Sequence, residues 1–318
     1  MTQNKSAVVT GGAGFIGSTL VDRLLAEGYQ VTVIDDFSSG RRSNLEAAQA
    51  SFADRLHIEK LDVRQSEVSD FIADRQPEVV FHLAAQADVR HSVADPIFDA
   101  EVNIVGTLRV LEGARRGGSG KVVVAVSGGT LYGEPDPSNL PLGESLPSDP
   151  RSPYGVSKLA AGHYLTAYRH LHDVDGTALA LANVYGPRQD PHGEAGVVAI
   201  FAGRLLAGEP CTVFGSGEQT RDFVYVGDVV DAFMRAALVN EVDLCNIGTG
   251  VETSVTELYQ AMATDIGGPA DPVLAPARLG ELDRSALDAS WAADALGWRA
   301  VTSLEEGVAR TMDWFRTN

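Results

Sequence analysis

The chain has 318 residues, 44% of them hydrophobic and 21% charged, with 33 glycines, a balance that excludes disordered and collagen-like chains. Its 25 basic against 43 acidic side chains give a formal net charge of −18, which excludes binding to nucleic acid or an anionic membrane through the overall field, so a phosphate-bearing ligand must be held by local groups. Two cysteines, Cys211 and Cys245, no leader-like segment and no apolar run of about 18–20 residues predict a cytoplasmic protein.

The first predicted strand covers 7–10 and runs into Gly11-Gly12-Ala13-Gly14-Phe15-Ile16-Gly17. A helix over 15–27 follows, closed by Gly28, then a strand over 30–34 that ends at Asp35. Further strands are expected at 56–59, 78–82, 121–126 and 177–181, nearly continuous apolar runs of the kind that parallel strands show when both faces are covered. A helix over 99–116, closed by Gly117-Gly118, precedes the fifth strand. Ser152 and Pro153 read as the N-cap and first turn of another helix. This alternation predicts an α/β fold, a Rossmann-type doubly wound parallel sheet over 1–182. Past Tyr185 the rhythm changes. The breaker-rich loop 186–193 reads as a crossover into a smaller C-terminal α/β lobe spanning most of 183–318. Residues 221–226 and 227–238 read as one more strand and helix, with 221–249 returning to the first domain. Three prolines make 269–283 irregular, and 303–315 is an amphipathic helix.

The glycine run carries the first chemical signal. Gly11, Gly14 and Gly17 allow a tight turn, close backbone approach to a pyrophosphate, and close helix–strand packing, while the helix N-terminus offers N–H groups and a positive dipole. Asp35, 18 residues past Gly17, is placed to accept hydrogen bonds from an adenosine ribose and to repel a 2′-phosphate, which favours NAD over NADP despite Arg41 and Arg42 beyond it. Asp62 and Val63 follow the third strand, where they can hold an adenine edge. Leu83, Ala84 and Ala85 offer small residues for close passage of a cofactor.

Tyr154 and Lys158 lie four residues apart on one helix face, in a chain with only four lysines. Moving a tyrosine from about 10 to about 7 takes roughly 4 kcal/mol in favour of phenolate, which a close ammonium and a cationic nicotinamide can supply in a low-dielectric cleft. The phenolate then takes a hydroxyl proton as hydride leaves the same carbon. Hydroxyl donors stand just past the fifth strand in Ser127-Gly128-Gly129-Thr130, where open sheets bind ligands.

Together with residues 81–86, 103–106, 127–133 and 183–188, these motifs resemble the extended short-chain dehydrogenase/reductases of the NAD-dependent epimerase/dehydratase type, nearest their UDP-glucose 4-epimerase branch, along essentially the whole chain. The resemblance implies a tightly held NAD and reversible C4 epimerisation of a UDP-hexose through a 4-keto sugar. It adds Phe15, Ile16, Asp36, Ser39, Gly40 and Asn103 to the cofactor residues. To the UDP-sugar it assigns Asn183, Val197, Val198, Thr212, Phe214, Arg221, Arg278 and Glu281, besides Ser127, Gly128 and Thr130. It also implies a homodimer through the helices at 99–116 and 153–172, and no metal.

One departure stands out: the usual catalytic serine aligns with Gly128, leaving Ser127, ranked ahead of Thr130, to assist Tyr154. The Asp-Glu pair that dehydratases need is replaced by Gly128-Gly129, which speaks against elimination. Asp190 stands where UDP-glucuronate epimerases place an arginine, so a neutral hexose is preferred to a uronate. Ser285, at the position that gates N-acetylated sugars, leaves room for UDP-N-acetylglucosamine. A dehydrogenase with dissociable cofactor and a non-enzymatic NAD sensor are the other readings, and the Tyr154–Lys158 pair speaks against the second.

Overall fold

The computed structural model describes residues 5–191, 196–268, 271–277 and 282–318. In chain order the first half alternates β1 (Ser6–Thr10), α1 (Phe15–Ala26), β2 (Gln30–Asp35), α2 (Ser43–Ser51), β3 (Leu56–Lys60), α3 (Glu67–Arg75) and β4 (Val79–His82). It continues with α4 (Val89–Ala94), α5 (Pro96–Ala100), a π-turn (Glu101–Val105), α6 (Gly106–Gly117), β5 (Lys121–Ser127), α7 (Gly128–Leu131), α8 (Pro153–His172) and β6 (Asp175–Leu181). The second half holds β7 (Asn183–Tyr185), α9 (Val197–Leu206), β8 (Thr212–Phe214), β9 (Thr220–Arg221), β10 (Phe223–Tyr225), α10 (Val226–Ala236) and β11 (Leu244–Ile247). It ends with β12 (Thr253–Ser254), α11 (Val255–Ile266), β13 (Val273–Ala275), α12 (Ser290–Leu296) and α13 (Leu304–Thr317).

Seven parallel strands form the central sheet in the order β3-β2-β1-β4-β5-β6-β11, the doubly wound arrangement expected from the sequence. One apolar core lies between the sheet and α1, α10 and α12, with Leu20, Leu24, Phe81, Phe233 and Trp298 fully buried. A second lies on the other face against α3, α6 and α8, and a third, around Tyr185, Phe201, Tyr259 and Met312, belongs to the C-terminal elements. Strand order reverses between β1 and β4, and the crevice at their carboxyl ends is the expected ligand position.

The helix read over 99–116 is present but starts earlier, at Pro96 where Asp95 caps it, and runs to Gly117 through the π-turn, at which the Asn103 side chain bonds inward to Gln86, Asp99 and Ser157. Two other expectations change. The strand read at 221–226 pairs only with β7 and β12, and β11 is the strand that joins the main sheet. Within the proline-rich stretch, Val273–Ala275 forms a parallel pair with β8. The remaining elements fall close to their predicted places. Ser152 caps α8 by accepting from Gly155 N–H at 3.1 Å, and Ser303 caps α13 in the same way. Both cysteines are free and buried, and no described helix is long and apolar enough to cross a membrane.

Candidate active site

The β1–α1 turn is built for close approach. Gly11 has φ +69°, and a Cβ there would lie 2.6 Å from Ala84 N, so any side chain would collide with the chain leaving β4. A Cβ on Gly17 would overlap the Gly11 carbonyl, which locks the helix tightly against the turn. Gly14 is the N-cap of α1 and carries no side-chain cap, leaving the N–H groups of Phe15 and Ile16, in the first turn, without intrahelical acceptors. Asp35 is 6% exposed. Its carboxylate accepts from Ala13 N–H at 2.9 Å and Phe37 N–H at 2.8 Å and keeps further lone pairs for a ribose. Burial pushes its pKa up, and the two backbone donors oppose that. Gly40 closes over it; a Cβ there would stand 2.8 Å from Asp35 Oδ1. Arg41 is paired with Asp190 at 2.8 Å, and Arg42 stacks 4.2 Å from the Phe37 ring centroid, so both basic residues of this loop are already engaged. These features fit NAD.

Other cofactor expectations land less directly. Asp36 accepts from Ser38 and Ser39 is exposed. Asp62 folds its carboxylate onto Arg64, at 2.6 Å, and that guanidinium holds its pKa below the usual range, so no unpaired carboxylate is offered to an adenine. Val63 is buried and fills the space that Gly106 leaves. Leu83 and Ala84 donate their N–H groups to Thr10, and Ala85 lies just beyond them, half-buried. Asn103 spends its amide on Gln86, Asp99 and Ser157 at 2.9–3.2 Å.

At the end of β5, Ser127 stands near enough to the Tyr154 phenol to lower its pKa. Thr130 donates instead to the Ser127 carbonyl at 3.3 Å. Gly128 has no room for a catalytic serine: a Cβ there would overlap Leu287 Cδ1 and approach Ala180 O at 3.1 Å, on the core side of the turn. The slot that aligns with the usual serine therefore cannot hold one here, and the hydroxyls near it are those of Ser127 and Thr130.

Lys158 is 5% exposed; its Nζ donates to Ala125 O at 3.1 Å and lies 5.9 Å from the Tyr154 ring centroid. Burial lowers its pKa to about 8, against the attraction of Asp99. Burial raises that of Tyr154 to about 12, and the nearby Ser127 only partly offsets this. The expected lowering of the phenol is thus absent from the protein alone, because ring desolvation outweighs an ammonium held below the ring rather than at its oxygen.

Sequence reasoning missed the support beneath this pair. Tyr154 N–H donates to the buried Ser92 Oγ at 3.2 Å, and Gln86, Asp99 and Ser157 form a buried network behind it. An acid at Asp99, buried among apolar helix residues, was the signal. His82 bridges Thr10 and Thr107 at 2.7 and 3.0 Å and is neutral, its pKa lowered to about 3 by burial. No cluster of three metal-ligating side chains occurs among the described residues.

On the substrate side, Val197 and Val198 form the first turn of α9, with Val198 fully buried. Asn183 is exposed at the head of β7, while Thr212 and Phe214 flank β8, half-buried. Arg221 lies in β9, half-buried, with Nη1 donating to Thr220 O at 2.7 Å. Ser285 is buried in a segment clamped by Asp222, which accepts from Leu287 N–H at 3.2 Å, and by the Leu142 N–H bond to Ala286 O at 2.8 Å. Arg278 and Glu281 lie outside the described residues.

The model of the NAD dependent epimerase/dehydratase family matches residues 7–248. The chain belongs to that family. Among members, the UDP-glucose 4-epimerase of Mycolicibacterium smegmatis is 52% identical over 310 residues, covering 97% of this chain and 98% of the relative. The crystal structure of UDP-glucose 4-epimerase with UDP-glucose from Thermotoga maritima superposes with a TM-score of 0.93 at 42% identity, covering 98% of this chain and 99% of that one. The UDP-glucose 4-epimerase of Thermus thermophilus in complex with NAD gives 0.89 at 42% identity, covering 98% and 99%. The seven-stranded parallel sheet and its glycine turn are thus those of an epimerase-family enzyme.

Proposed function

We propose that this protein is an NAD-dependent UDP-glucose 4-epimerase, interconverting UDP-glucose and UDP-galactose. The observation that carries the reading is Lys158 Nζ 5.9 Å from the Tyr154 ring centroid, with Ser127 ending β5 and the Gly11–Gly17 turn following β1 in the same parallel sheet. Full-length similarity to UDP-glucose 4-epimerases supports the substrate class. NAD, when bound, supplies the cationic ring that accepts hydride from sugar C4 and returns it to the opposite face. Gly11, Gly14, Phe15, Ile16 and Gly17 hold its pyrophosphate, and Asp35 its ribose. Tyr154 removes the proton from the sugar O4 and later returns it. Ser127 donates its single hydroxyl hydrogen to the sugar O4 as negative charge develops there, and the Lys158 ammonium stabilises the phenolate from beneath the ring. Asn183, the α9 N-terminus, Thr212, Phe214 and Arg221 line the nucleotide side.

The test is to incubate pure protein with UDP-galactose, no dinucleotide added, and identify the sugar released by mild acid. Glucose without net NADH formation supports the proposal; no conversion, or stoichiometric NADH, overturns it. Sugar range follows from Ser285. A small side chain there leaves space for an N-acetyl group, so UDP-N-acetylglucosamine is also turned over, and Ser285→Tyr removes that activity while sparing UDP-glucose; a wild type inert toward the N-acetylated sugar contradicts this. Against a uronate, charge repulsion by Asp190 is a weaker argument than the sequence implied, since its carboxylate is paired with Arg41 at 2.8 Å. A homodimer through α8 and the α4–α5 arm fits the apolar side chains exposed there: Val93 is 65%, Ile97 73% and Val156 50% exposed. Val93 and Ile97 lie just N-terminal to the 99–116 stretch, and Val105 within it is 39% exposed.

A further inference from the structure

We infer that Asp99 is a positioning residue for the catalytic pair: its buried carboxylate is the counter-charge of the Lys158 ammonium and, through Asn103 and Ser157, fixes the first turn of α8. The inference rests on the epimerase reading only for its kinetic consequence.

Charge matching in the interior points to this pairing. Four acids are buried among the described residues, Asp35, Asp99, Asp222 and Asp228, and two lysines, Lys121 and Lys158. Lys121 is bound to Asp175. Asp35 serves the glycine turn. Asp222 is satisfied by Thr249, Gly250 and Leu287, and Asp228 by Val301 and Thr302. Asp99, 1% exposed, receives only two neutral amide donors on Oδ1, from Gln86 and Asn103, both at 3.0 Å. A buried charge without an opposite charge is costly, and the two left over, Asp99 and Lys158, form no direct ion pair but lie on helices packed against each other, α5 on α8, so that the carboxylate acts on the ammonium across that packing.

The mechanical link is explicit. Asn103 donates to Asp99 and to Ser157 Oγ at 3.2 Å, and Ser157 donates to the Tyr154 carbonyl at 2.9 Å. The π-turn makes this possible by rotating Asn103 inward. The groups that face Lys158 are Tyr154 on its own helix, Asp99 from α5, His82 from β4, and the Ala125 carbonyl from β5. His82 is neutral at ordinary pH, and His91 and Glu101 are exposed. Asp99 is therefore the one negative charge among them, raising the pKa of Lys158 and also that of Tyr154.

With four lysines in the chain, Lys158 can be followed directly. In NAD-containing protein carrying isotope-labelled lysine, its side-chain NMR signal is assigned by its loss in Lys158→Met and titrated with pH. In Asp99→Asn, whose amide oxygen can still accept from Gln86 and Asn103, the Lys158 midpoint falls by about one unit. Both limbs of the kcat profile for UDP-galactose slide to lower pH by a similar amount, with KM little changed. Asp99→Ser, neutral and smaller, gives the same reading should the asparagine variant fold poorly. An unmoved Lys158 midpoint in either variant, or a fall in kcat with unmoved limbs, overturns the inference. A wild type without epimerase activity overturns the functional reading instead, and the Lys158 titration still decides the role of Asp99.

Discussion

Ser127 and Thr130 stand three residues apart, and their surroundings differ. Ser127 stands near enough to the Tyr154 phenol to lower its pKa, while Thr130 turns its hydroxyl back to the Ser127 carbonyl at 3.3 Å. Ser127→Ala is therefore expected to lower kcat about 10²-fold, since one positioned donor to a developing oxyanion is lost. Thr130→Val should stay within a few-fold of wild type in the same assay; the reverse ranking would reassign the hydroxyl. The tyrosine–lysine pair and the hydroxyl cluster were legible in the sequence because their types and spacing are tied to their chemistry. The alignment slip at Gly128 was not. Which way a Cβ points at the end of a strand depends on Leu287, 159 residues away, and no local pattern records that contact.

Between elements, glycine and histidine carry packing that the crevice depends on. Gly128 lets α7 press against Leu287 and β6, so Gly128→Ala overpacks that junction and should cost about 1–3 kcal/mol, read as a lower urea midpoint. An unchanged midpoint would mean that the 285–288 segment yields freely. His82 links β4 to β1 and α6 as a neutral ring. Its folded pKa is about 3 and its ordinary value 6.5, so the unfolded chain takes up the proton first as pH falls. The stability it contributes is complete above about 6.5 and is lost as pH drops toward 3, at about 1.4 kcal/mol per unit. His82→Gln should remove that share of the decline in urea midpoint between pH 6.5 and 5, whereas an identical slope would place it elsewhere. The sheet was legible because most of its strands are nearly continuous apolar runs, Leu56–Lys60 being the mixed one at the edge. The seventh, Leu244–Ile247, is only four residues long and hides behind the more strand-like Phe223–Tyr225. The π-turn inside the long helix at Glu101–Val105 was hidden too, since it accompanies a buried side-chain network that no residue within the turn announces.

For the molecule as a whole, a net charge of −18 coexists with a site for a dinucleotide and a nucleotide sugar because the attraction is local: an uncapped helix start, Arg221 and the Lys158 ammonium. The exposed apolar side chains on α4, α5 and α8 predict association. Ile97→Asp should shift the sedimentation coefficient from dimer toward monomer at micromolar protein, and a wild type already monomeric there would contradict the interface. The central claim is that one resident dinucleotide carries hydride out and back within a single closed crevice. Its most direct test is UDP-galactose deuterated at C4, turned over in the presence of excess unlabelled NADH. The account predicts UDP-glucose with the deuterium still at C4; loss of the label to the added NADH or to solvent hydrogen would contradict it.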